Sequence, residues 1–165
     1  MHEGGEFFAR RETVLESNER FLESSERPGA QKSSRTKAED DIREAVFRYQ
    51  MVKTKASVYF LSVGVGKDKD PSAVFMKRFS GCGCKPPVKP YSQSKLDTSR
   101  GVRDRKTDVR GVVLRSETIK WLNKTTVELT GGYFWNVRAG SGWTFKVELR
   151  NGRWRVTKGT GKWIS

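Results

Sequence analysis

The chain has a single histidine, His2, and only two cysteines, Cys82 and Cys84. Catalysis of the Ser-His-Asp or Cys-His kind needs an imidazole beside the nucleophile, so that chemistry is excluded unless His2 takes part. A lone C-x-C offers two ligands where a structural zinc wants four, and no second half of a Cys/His set is present. No stretch nears the ~20 apolar residues of a membrane-spanning helix. The first residues, Met-His-Glu-Gly-Gly-Glu, are not a basic region followed by an apolar run. No signal peptide is read from them, which favours a cytoplasmic protein, with export open if the true start lies upstream. Gly64-Val65-Gly66-Lys67 sits between an expected strand and helix, but a phosphate-binding loop needs glycine where Leu61 stands and Ser or Thr where Asp68 stands. It reads as a plain turn. No metal site, cofactor or complete catalytic set is assembled; Asp68, Asp70 and Asp108 are the carboxylates open to general-base work, and nothing pairs them.

What the chain has in excess is positive charge. Its formal net charge is +14. Residues 1–26 oppose this with seven Glu against three Arg, so residues 27–165 carry +18. A surface that basic attracts polyanions without sequence preference. The cations are densest between 82 and 110, where Lys85, Lys89, Lys95, Arg100, Arg103, Arg105, Lys106 and Arg110 face three Asp. With Pro86, Pro87 and Pro90 in the same stretch, it reads as an irregular excursion, the candidate contact for a polyanion or nucleic acid.

Hydrophobic spacing then organises the chain. Phe7/Phe8, Val14/Leu15 and Phe21/Leu22 recur every seven residues, so residues 5–26 suit a partner-binding or self-associating helix, or a loosely docked extension. Residues 27–35 are linker-like, which puts an acidic extension and linker at 1–35 and one α+β domain at 36–165. Thr36 and Glu39 make a capping box, and Ile42, Ala45, Val46 and Tyr49 form one apolar stripe, predicting a helix over 37–51. Ala56 to Val63 is apolar on both faces and predicts a strand covered on both sides. Asp70-Pro71 predicts the start of a short helix with Phe75 and Phe79 on one face and Gly81 at its end. Four strands follow, at about 111–121, 125–137, 142–150 and 153–158. The turns between them fall at Asn123-Lys124, Gly140-Ser141-Gly142 and Asn151-Gly152. Asn123-Lys124-Thr125 also fits the glycosylation acceptor pattern, and reads more simply as a hairpin turn. Along the third strand Trp143, Phe145, Val147 and Leu149 alternate with polar residues, as a half-buried strand requires. Trp143 and Trp154 are placed to meet across the last hairpin. Trp135 and its neighbours read as core rather than as a base-stacking platform, since Trp and Arg fall mostly on opposite faces.

The expected fold is therefore α+β: a helix and a short second helix packed on a curved, mostly antiparallel sheet of four to five strands. This order resembles the cystatin-like and nuclear-transport-factor-2-like cone folds. It is also similar to a group of uncharacterised small bacterial α+β proteins over residues 39–165. The likeness is carried by Arg43-Glu44-Ala45-Val46-Phe47-Arg48-Tyr49, Tyr59-Phe60-Leu61-Ser62-Val63, Lys69-Asp70-Pro71-Ser72, Pro86-Pro87-Val88-Lys89, Gly131-Gly132-Tyr133 and Gly152-Arg153-Trp154. The resemblance implies a bent sheet wrapping helices and brings no activity with it. The functional reading is a non-catalytic ligand-binding or accessory protein, because a curved sheet offers a concave surface. The alternatives are polyanion binding through 85–110 and a small lyase, isomerase or hydrolase using a carboxylate beside Tyr49, Tyr59 or Tyr133.

Overall fold

The computed structural model describes residues 28–81 and 85–164; the readings placed on 5–26 and on Cys82-Gly83-Cys84 lie outside the described residues. Helix α1 spans Pro28–Lys53, strand β1 Tyr59–Val63 and helix α2 Ala73–Ser80. Three short strands follow, β2 (Val88–Pro90), β3 (Ser94–Asp97) and β4 (Gly101–Asp104). Four long ones close the chain: β5 (Val112–Asn123), β6 (Thr126–Asn136), β7 (Ala139–Arg150) and β8 (Arg153–Ile164). The class is α+β, as the sequence predicts. The main sheet has six strands rather than four to five, in the order β2-β1-β5-β6-β7-β8. The meander β5 to β8 is antiparallel, while β1 runs parallel to both β2 and β5. Strand β2 has no alternation to reveal it. It is three residues long, it follows Pro87, and it ends on Pro90, which only a sheet edge tolerates.

Helix α1 begins at Pro28, so residues 28–35 are helical and the expected linker is absent there. Proline fits the first turn because its missing N–H has no intrahelical partner to lose. Thr36 therefore lies inside the helix. Its Oγ1 donates to Lys32 O at 2.9 Å, and Glu39 pairs with Arg35 at 3.2 Å, so no capping box forms. Asp41 and Glu44 also sit mid-helix, where both accept from Arg78 of α2, at 2.6 and 2.9 Å. Helix α2 is capped by Ser72, whose Oγ accepts from Phe75 N at 3.1 Å, and not by Asp70. Asp70 instead accepts from Ser92 N at 2.7 Å.

The stripe on α1 packs as its spacing predicts. Ile42 and Val46, with half-buried Ala45 and Tyr49, meet Val127 and Leu129 of β6 and Phe145 and Val147 of β7. On the same side of the sheet Phe47 joins Phe75 and Phe79 of α2 over Tyr59, Leu61, Val112 and Leu114. Strand β1 is covered on both faces, as expected: Val58 and Phe60 point the other way, into a cluster with Val113 and Val102 of β4. That second layer is the β3–β4 ribbon, an antiparallel hairpin built from residues that read as an irregular loop. Trp143 and Trp154 do not meet; Trp143 stands opposite Gly161 in the ladder, and Trp154 packs edge-on against Trp121 at 5.6 Å. The turn into β7 falls at 137–138, because Gly140, Ser141 and Gly142 are ladder residues of β7. The last hairpin turns at Asn151-Gly152 with φ of 51° and 71°, the paired left-handed values this dipeptide suits. At the first, Asn123 Oδ1 accepts from Thr125 N at 2.9 Å.

The ribbon is pinned by a buried acid. Asp104 is 1% exposed, is ion-paired with Lys89, and accepts from the backbone N–H groups of Lys106 and Thr107 at 2.8 and 3.0 Å. Burial by itself raises a carboxyl pKa, but the Lys89 ammonium and the two N–H groups outweigh it and hold Asp104 down at about 2. An unfolded Asp titrates near ~3.9. The stabilisation is therefore complete above pH ~4 and lost as the pH falls through ~2, to the extent of about 2 kcal/mol. Urea unfolding at pH 6, 4, 3 and 2 is expected to show that loss in the native chain and not in Asp104→Asn. Equal acid sensitivity of the two would show that Asp104 does not carry it.

Candidate functional site

The α1–β1 connection brings cations to the sheet. Lys53 ends α1; Thr54, Lys55, Ala56 and Ser57 lead into β1 beside Arg110, Gly111 and Val112 at the start of β5. Together with Tyr133 and Trp135 of β6 they line a concavity of about 440 Å³. The connection is held firmly. Gln50 O accepts from Thr54 N and Thr54 Oγ1, both at 2.9 Å, and Tyr59 Oη reaches Met51 O at 3.0 Å and also bonds Thr54 O. These bonds occupy carbonyls at the negative end of α1, which otherwise repels an anion. Tyr133 and Trp135 are stacked, with centroids 5.9 Å apart and rings inclined by 22°. They form a flat wall, half-buried, on the helix side of the sheet. Lys53, Lys55 and Arg110 are exposed and make no ion pair among the described residues, and no carboxylate lines this mouth.

Of the eight cations read as a polyanion contact, four are ion-paired, three of them on Asp108. Lys89 is paired with Asp104, Lys95 with Asp108 at 2.7 Å, Arg100 with Asp97 and Asp108, each at 3.0 Å, and Arg103 with Asp108 at 3.2 Å. The three Asp thus neutralise half of the set from within. The Ser99 hydroxyl first, then the backbone N–H groups of Arg100 and Ser99 and the Arg100 side chain, hold the Asp97 carboxyl well below the usual carboxylate range, and Asp108 is lowered, first by Lys95 and then by Arg103. Lys85, Arg105, Lys106 and Arg110 remain exposed and free of ion pairs among the described residues. Of these only Arg110 reaches the mouth.

Of the three candidate bases, Asp68 alone stands beside a tyrosine, in a smaller cleft of about 220 Å³ with Tyr91 and Arg115. Arg115 clasps its two oxygens at 2.7 and 2.6 Å and Ser62 Oγ donates at 2.8 Å. Burial raises the Asp68 pKa, and the hydrogen bonds from Arg115 and Ser62 more than reverse that, so it stays ionised. The Tyr91 hydroxyl is pushed up, by burial first and by the Asp68 charge second. An acid held this low is a weak proton acceptor. Gly64 to Lys67 form a turn, and among the described residues no group of three or more His, Cys, Asp or Glu can hold a metal. Among the same residues no helix is long and apolar enough to cross a membrane.

Lys53, Lys55, Tyr133 and Trp135 are the site residues the sequence does not disclose. The two lysines belong to no motif, Trp135 reads as core, and Tyr133 is offered as a partner for a catalytic carboxylate, which the mouth lacks. The chain matches no protein-family model, no curated protein and no solved structure.

Proposed function

We propose that this is a non-catalytic binding protein whose ligand is a small anion with a flat face. The observation that carries this is the mouth itself: three cations without an ion pair among the described residues, Lys53 lying over the Tyr49 ring at 5.6 Å, around a stacked Tyr133–Trp135 wall with no carboxylate in its lining. Cations fix the charged group, and the aromatic faces exclude water from a planar body. The mostly antiparallel sheet with α1 packed on it accords at a coarse level with the cystatin-like or nuclear-transport-factor-2-like organisation that the residues resemble, and such a fold carries no chemistry of its own.

The test uses benzoate and its neutral counterpart, benzyl alcohol, followed by NMR at the Trp135 indole and at Lys53 and Arg110. Benzoate is expected to shift these signals and to bind roughly tenfold more tightly than the alcohol, the size of one good charge-assisted contact. Lys53→Glu combined with Arg110→Glu is expected to abolish that preference. Equal binding of acid and alcohol, or no shift at the mouth, overturns the reading.

A second reading rests on the exposed Lys85, Arg105, Lys106 and Arg110. If the protein works as a polyanion binder, heparin or an oligonucleotide shifts those four residues first. Affinity then falls with salt, by roughly 10³–10⁵-fold between 50 and 200 mM for 6–10 phosphate contacts.

A further inference from the structure

The mouth has a back room. Lys53 and Tyr133 also line a second cavity of about 360 Å³, shared with Tyr49, Gln50, Trp143, Phe145 and Gly159. Its walls are aromatic. Trp143 stacks on Phe145 at 6.3 Å and 13°, and Tyr49 meets Phe145 edge-on at 5.9 Å.

Two features of this chamber are unexplained by packing. The first is a blank in the inner face of β8. Trp154 and Val156 face the core opposite Leu149 and Val147; after the bulge that follows Val156, the residues opposite Phe145 and Trp143 are Gly159 and Gly161. A Cβ on Gly159 would stand 3.4 Å from Tyr49 Oη, 3.5 Å from Trp143 and 3.6 Å from Phe145, in ordinary contact. The glycine is thus not demanded by a clash there. It leaves open a space that a side chain would fill. The second is Gln50, 2% exposed. Its Nε2 donates to Arg115 O at 3.1 Å, while its Oε1 has no partner. Turning the amide over does not help, because Arg115 O only accepts and would then lose its donor. An acceptor buried without a donor costs about 1–3 kcal/mol.

We infer that the ligand is an amphipathic anion: its charged group lies in the mouth, its apolar planar body passes Tyr133 into the chamber, and an N–H or O–H at its far end donates to Gln50 Oε1. This rests on the mouth being a binding site, and it adds the ligand's length and its distal donor.

The test titrates three probes into the full chain: benzoate, naphthoate, and hydroxynaphthoate with its hydroxyl on the ring remote from the carboxylate. Benzoate reports on the mouth alone. Naphthoate is expected to bind more tightly than benzoate, and hydroxynaphthoate roughly tenfold more tightly than naphthoate, since one unpaired buried acceptor is relieved. Gln50→Leu is expected to erase the preference for the hydroxyl and leave benzoate binding unchanged. Gly159→Leu, which plugs the chamber, is expected to lose both naphthoates and retain benzoate. Gly159→Ala, which the backbone accepts in ordinary contact, should weaken the naphthoates less and guards against misfolding of the larger variant. Benzoate binding with no gain for the longer probes overturns the chamber and leaves the mouth standing. Failure of all three probes overturns the mouth reading itself. A hydroxyl preference that survives Gln50→Leu shows that the hydroxyl finds its partner elsewhere, and sinks the distal contact.

Discussion

Phe47→Ala is expected to cost about 3–5 kcal/mol, the range for emptying a large aromatic site in a packed core. Phe47 is fully buried and makes edge contacts with Phe75 at 6.0 Å and Phe79 at 6.4 Å. It is the fully buried α1 side chain of the cluster that joins α2 to β1 and β5, with half-buried Met51 packed beside it. Removing it takes one edge contact from each α2 aromatic, and the surrounding strands are too well paired to close the gap. In a domain of this size such a loss lowers Tm by roughly 10 °C or more. Urea unfolding checks it, and a loss under about 1 kcal/mol would mean that α2 collapses onto the sheet without help. The Arg78 bridge to Asp41 and Glu44 is no substitute, being partly open to solvent and worth about 1 kcal/mol.

Gly132→Ala is expected to be comparably damaging for a different reason. Gly132 has φ of 155°, and a Cβ there would lie 2.0 Å from Ser141 O, a backbone atom of the neighbouring strand. No side chain can move aside, so β6 and β7 must separate, at a cost of about 3 kcal/mol or more. Gly131 is similarly placed against Arg115 O on the other side, at 2.3 Å. The pair is where β6 passes from the Val127–Leu129 cluster to the Tyr133–Trp135 wall. The substitution should therefore weaken benzoate binding as well as the fold. Gly81→Ala is the control, since φ is −86° there and nothing lies within 4 Å of the new carbon. Equal stability of the two variants would show that β6 has room to yield.

Local patterns were readable wherever the interaction is local. Ile42, Val46 and Tyr49 share a helix face through 3.6-residue spacing, Phe75 and Phe79 through one turn, and Asn151-Gly152 sets its own φ values. Strand β1 announced its two covered faces by being apolar throughout. What stayed hidden depends on distant partners. Strands β2, β3 and β4 are three or four residues each; β2 pairs with the distant β1, and β3 and β4 pair with each other but are too short and too charged to show an alternation. The start of α1 was misplaced because Ser33, Ser34 and Thr36 read as linker and cap, whereas a helix already under way tolerates them. The mouth joins Lys53 and Lys55 to Arg110 and Tyr133 through the parallel pairing of β1 with β5, which no alternation encodes. One sequence signal for the chamber did exist: along β8 the inward positions run Trp154, Val156, Gly159, Gly161, and the hydrophobic pattern stops where the cavity begins.

Strand β8 lies at the end of the sheet, twelve residues long, and among the described residues no strand pairs with its outer side. An open ladder of that length invites a second copy to dock and start a fibre. The strand carries Arg153, Arg155, Lys158 and Lys162, all exposed, and the bulge between Val156 and Lys158 breaks its register. Two approaching β8 strands bring like charges together along their whole length, and neither is straight enough to zip. The positive charge of the chain thus opposes the pairing of this free edge with a second copy, and it does so without a ligand.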